Sequence, residues 1–116
     1  MTTGDDLVEL LMRRRYRHPT DELRLQEEIA ELFTEWNIGF EREVALTPRD
    51  RIDFLVGTIG IEVKVKGRAS AVARQLLRYA EHERITELVL FTTRTQIVVP
   101  HTLGGKPVLS GRYMTL

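Results

Sequence analysis

The chain has 116 residues, 42% of them hydrophobic and 29% charged, which suits one globular domain with a modest core. Its 17 Lys and Arg balance its 17 Asp and Glu, so no bulk positive field announces nucleic acid or an anionic membrane, and any polyanion contact must be local. The absence of cysteine excludes disulfides and thiolate metal sites and fits a reducing compartment.

The first residues, MTTGDDLVELLMRRRYRHP, place acids ahead of an apolar run too short for a secretory signal. No stretch is long enough to cross a bilayer, so the expectation is a cytoplasmic protein without membrane contact. Residues 5–16 read as a short amphipathic helix, acidic at its start and basic at its end, as the helix dipole favours. After the break at His18-Pro19, Thr20 or Asp21 caps a second helix in which Leu25, Ile29, Leu32, Phe33 and Trp36 recur at helical spacing. Asn37 and Gly39 end it. FEREVAL alternates as a half-buried strand, TPRD turns, and RIDFLV and IGIEVKV follow as two more strands. ASAVARQLLRYAEHER is a third helix. ELVLFTT is a strand apolar enough for burial on both faces, and the turn-rich remainder holds one or two short strands. No repeat or linker divides the chain. The expected organisation is an N-terminal helical extension over 1–18, a core over 20–94, and C-terminal strands and turns over 95–116. The fold class is α/β, a mixed β-sheet flanked by helices, with the strands on either side of the third helix joined by a parallel crossover.

The stretch RIDFLVGTIGIEVKV carries the chemistry. If Gly57 and Thr58 are the central residues of a type II′ turn, Val56 pairs with Ile59 and Asp53 stands opposite Glu62 on one face, with Lys64 on that face too. A four-residue turn over Gly57–Gly60 would pair Asp53 with Lys64 and keep all three together. A three-residue turn would separate them. Two carboxylates this close repel, and a hard divalent cation relieves the repulsion; Mg²⁺ favours sites of one or two carboxylates completed by water and phosphate oxygens. A lysine beside such a cation acts on the phosphate or the attacking water. The plainer alternative is a solvated strand face of Glu62, Lys64 and Lys66 with Asp53 at a turn.

Asp53 followed by Glu62-Val63-Lys64, after a helix bearing Glu28, resembles the PD-(D/E)XK nuclease superfamily, with Ile52 standing where the family name has proline. Gln75-Leu-Leu-Arg-Tyr79 is similar to the Q-x-x-x-Y element of its RecB-type and phage-exonuclease branch. The resemblance runs from about Asp21 to Thr93. It implies an αβββαβ restriction-endonuclease-like core and Mg²⁺- or Mn²⁺-dependent hydrolysis of DNA phosphodiester bonds. It also implies metal ligation by Asp53, Glu62, the Val63 carbonyl and Glu28, with Lys64 positioning water or stabilising the transition state. Glu28 fits the family's helical glutamate because it lies at the edge of the apolar stripe between Leu25 and Leu32, whereas Glu22 reads as serving the helix dipole.

One helical turn separates Gln75 from Tyr79. Either Gln75 orients a phosphate, water or metal ligand while Tyr79 supports it or touches DNA, or Tyr79 packs on Val72 and Leu76 with Gln75 at the rim. Lys66, Arg68, Arg74 and Arg78 are the candidate DNA contacts, with Thr92, Thr93 and Arg94 as further phosphate contacts. Arg13, Arg14 and Arg15 are left to the helix C-terminus. The scattered histidines have no zinc spacing, and Leu103-Gly-Gly-Lys-Pro107 has no strand-to-helix context for a phosphate loop. The functional expectation is an exonuclease or structure-specific endonuclease in DNA recombination or repair. Its partner is a second copy of itself or a helicase-like or recombinase-like protein. A dimeric Holliday-junction resolvase and a non-catalytic DNA-binding or assembly module are the alternatives.

Overall fold

Thr3 opens the first helix, α1 (Gly4–Arg13), with a reciprocal cap: its hydroxyl accepts from the Asp6 N–H at 3.1 Å, and the Asp6 carboxylate accepts from its own N–H at 2.9 Å. The computed structural model describes residues 1–114. α1 ends at Arg13 rather than at Tyr16, because Tyr16 turns inward and donates its hydroxyl to the Leu11 carbonyl at 2.7 Å. Asp21 caps α2 (Glu22–Glu35), accepting from the Arg24 N–H at 3.2 Å. Leu25, Ile29, Leu32 and Phe33 are buried along it as their spacing expects, but Trp36 has passed the last turn and is 57% exposed.

The strands β1 (Glu41–Ala45), β2 (Arg51–Val56), β3 (Ile59–Lys64), β4 (Glu87–Thr92), β5 (Thr102–Leu103) and β6 (Lys106–Arg112) form a mixed sheet in the order β1-β2-β3-β4-β6-β5. β1, β2 and β3 make an antiparallel meander. The helix α3 (Ala69–Ala80) then carries the chain across to β4, which lies parallel to β3. The C-terminal segment contributes more than its turn-rich composition suggests. β6 runs parallel to β4 inside the sheet, and Gly104 and Gly105, at φ of 57° and 76°, form the tight turn of a hairpin with β5.

Both faces of the sheet are covered. Phe54, Ile61, Val63, Val65, Val89 and Phe91 meet α1 and α2 on one side, where the Phe33 ring stands edge-on to Phe54 at 5.6 Å. Ile52, Leu55, Leu88, Leu90 and Val108 meet α3 on the other. No helix among the described residues is long and apolar enough to cross a membrane.

The β2–β3 turn has two central residues. Val56 faces Ile59, and of the two turn residues Gly57 alone has positive φ, 60°, as a type II′ turn requires. On the next strand, a Cβ at Gly60 would run into Ile52, Ile85 and Leu88. Gly60→Ala should therefore cost about 1–3 kcal/mol by overpacking, read from urea denaturation midpoints. A loss within experimental error would contradict this packing.

Candidate active site

The paired register of β2 and β3 runs Val56↔Ile59, Leu55↔Gly60, Phe54↔Ile61 and stops. The next residues in line are Asp53 and Glu62, and here side chains replace backbone. The Glu62 carboxylate accepts from the Asp53 N–H at 3.3 Å, and the Asp53 carboxylate accepts from the Val63 N–H at 2.8 Å. Two residues on, the Val65 N–H donates at 3.2 Å to Glu22, at the start of α2. A strand residue presents its N–H and C=O to the same edge, so the Val63 carbonyl faces the Asp53 side. The ladder is also irregular on the β1 side: Arg42 pairs with Phe54 and Val44 with Ile52, while Glu43, between them, has φ of 52°, the left-handed region rare for a non-glycine residue.

Lys64 Nζ lies 3.3 Å from the Glu62 carboxylate, and Glu62 itself is only 3% exposed. Burial pushes the Glu62 carboxyl up most, Asp53 pushes it further, and Lys64 offsets only part, leaving it at about 8. Burial likewise raises Asp53, the Val63 N–H opposes that, and Glu22 and Glu43 raise it again, to about 6. The pair thus retains a proton at neutral pH and titrates as a unit. A cation would favour the ionised carboxylates over the proton that burial and neighbouring acids keep there.

The donor set suits a hard, oxygen-loving ion: two carboxylates and a backbone carbonyl, with Asp53 and Lys64 half-buried beside the buried Glu62. Among the described residues no three acids or histidines already stand together as a preformed metal cage. Asp53, Glu62 and Val63 would hold such an ion, with water and substrate oxygens completing its shell.

Glu28 is not part of this assembly, contrary to the expectation from its place on the helix. Its buried carboxylate accepts from the Arg17 N–H at 2.9 Å and the His18 N–H at 2.9 Å, and Arg17 Nε lies 3.5 Å away. Burial alone would raise its pKa, but those N–H bonds and the Arg17 and His18 charges outweigh burial and hold it below the usual range. Glu28 fastens the α1–α2 connection. The α2 acid that reaches the site is Glu22, on the same helical row as Ile29 and Phe33; the wheel held that signal, but proximity to the cap masked it.

Tyr79 is buried, so it is not a DNA contact. Its hydroxyl donates to the Arg51 carbonyl at 2.9 Å and accepts from Gln75 Nε2 at 2.7 Å. Burial raises its pKa, with Glu62 and Asp53 adding to the shift. Gln75 is therefore joined to the site through Tyr79, which grips β2 just ahead of Asp53. Arg78 is committed to Asp50 at 3.1 Å and is not free for phosphate. Lys66, Arg68 and Arg74 are exposed and make no ion pair among the described residues. Thr92, beside Lys64 in the register, is buried, and its hydroxyl accepts from the Arg94 N–H at 3.1 Å. Arg13 pairs with Glu9, and Arg14 with Glu31 and Glu35. No protein-family model, curated protein or solved structure matches the chain.

The pair makes stability depend on pH. Both carboxyls hold protons more tightly folded than unfolded, where they sit near 3.8 and 4.5. In EDTA, stability should thus be greatest near the acid end of this window and fall as pH rises towards about 8, by up to about 1.4 kcal/mol per pH unit for each proton bound only in the folded state. Glu62→Gln should remove most of that fall. Urea denaturation across the window measures both, and a flat wild-type profile would contradict the geometry.

Proposed function

We propose that the chain is a divalent-metal-dependent nuclease that hydrolyses DNA phosphodiester bonds in the manner of the PD-(D/E)XK superfamily. The observation that carries this reading is the opened β2–β3 ladder, where Asp53 and Glu62 converge with the Lys64 ammonium 3.3 Å from Glu62. Asp53, Glu62 and the Val63 carbonyl would hold the cation, with the Glu22 charge acting on Asp53. When bound, the cation supplies Lewis acidity, lowering the pKa of water and neutralising charge on the scissile phosphate. Lys64, whose ammonium lies 3.3 Å from Glu62, would steady the attacking water or the pentavalent phosphorus. Water adds to phosphorus, the P–O bond to one sugar breaks, and the leaving oxygen takes up a proton. Lys66, Arg68 and Arg74, which have no ion pair among the described residues, continue from β3 into α3 and suit a phosphate backbone.

Linear, circular, single-stranded and four-way-junction DNA, each incubated with Mg²⁺, Mn²⁺ or EDTA, test the reading. Metal-dependent cutting is expected, and Lys64→Ala should slow it by ~10²–10³ while binding persists. Glu22→Gln should slow it more than Glu28→Gln, which acts on the α1–α2 connection. Cutting confined to junctions would identify a resolvase. Binding without cutting under every condition would identify a non-catalytic module and refute the enzyme.

A further inference from the structure

Among the described residues, Gln26 Oε1 is the one buried side-chain oxygen without a hydrogen-bond partner, and Gln26 is 5% exposed. Its place in the fold follows from the helix. At 3.6 residues per turn, Glu22, Gln26, Ile29 and Phe33 fall within about 60° of one another on α2. The row is fixed at both ends: Glu22 reaches the Val65 N–H at 3.2 Å, and Phe33 meets Phe54 at 5.6 Å. Phe54 faces Ile61, so the row runs back along β3 from Val65 towards Ile61. Four helical residues rise about 6 Å and two strand residues about 6.8 Å. Gln26, one turn after Glu22, therefore lies over Val63, two residues before Val65. Val63 donates its N–H to Asp53 at 2.8 Å. Gln26 thus stands on the α2 side of the strand whose Val63 N–H holds Asp53.

We propose that Gln26 is a positioning residue of this site, whose Oε1 accepts a hydrogen bond from water in the coordination shell of a divalent cation. No protein donor among the described residues reaches Gln26 Oε1, whereas the waters that a hard cation retains are strong donors. A buried polar atom left without a partner is uncommon in a folded protein and asks for such a donor. The proposal rests on reading Asp53 and Glu62 as a metal site and adds a neutral residue that tunes it.

The test titrates Mn²⁺ calorimetrically into wild type, Gln26→Met and Gln26→Glu, and follows thermal unfolding of each in EDTA. Gln26→Met should unfold in EDTA at or above the wild-type temperature, since the orphaned atom is gone, yet bind Mn²⁺ about tenfold more weakly. Gln26→Glu, which keeps an acceptor there, should bind at least as tightly as wild type. Wild-type Mn²⁺ affinity in the Met variant would overturn the proposal, as would a loss of EDTA stability without a loss of affinity. Should the Met variant not fold, weaker binding by Gln26→Glu overturns it and equal or tighter binding supports it. A wild-type protein that binds no Mn²⁺ refutes the metal-site reading itself, a result distinct from all of these.

Discussion

Where β2 and β3 part beyond Phe54 and Ile61, three backbone N–H groups lose their ladder partners and are taken up by acids. Asp53 donates to Glu62, Val63 to Asp53, and Val65 to Glu22. Buried N–H groups demand acceptors, so opening the ladder draws carboxylates together even though they repel. Lys64 relieves part of the strain at Glu62. Burial, with the neighbouring acids adding to it, raises the proton affinity of both Asp53 and Glu62.

Such an arrangement persists only because its surroundings over-determine it. The Gly57 turn fixes the register, so a one-residue slip would send the Glu62 side chain to the opposite face. Phe33 and Phe54 hold α2 against the sheet beside the opening. On the other face, Tyr79 holds the Arg51 carbonyl, with Gln75 steadying its hydroxyl. Glu28, with its N–H bonds from Arg17 and His18, secures the connection that delivers Glu22. Residues that resemble catalytic ones by spacing thus serve here as the frame around those that carry the charge.

The meander and crossover were legible because each rests on a short-range rule: alternation, helical period, and a glycine that suits a two-residue turn. The pairing of Asp53 with Glu62 followed from that turn alone. The choice between Glu22 and Glu28 did not, because both lie near the apolar stripe and only the path of residues 14–21 decides which carboxylate is already engaged. Tyr79 was ambiguous for a similar reason: an amphipathic ring one turn from a glutamine suits a rim or a core equally, and the Arg51 carbonyl that draws it inward is distant in sequence. The left-handed backbone at Glu43 and the entry of β6 into the sheet are long-range outcomes that no local pattern announces.

The most direct test of the account is calorimetric titration of Mn²⁺ at pH 7 in buffers of different ionisation enthalpy. A pair that shares a proton before the cation arrives must give it up, so one Mn²⁺ should bind per chain with net proton release, and both should vanish in Asp53→Asn/Glu62→Gln. Binding that releases no proton, or that survives the double substitution, would contradict it.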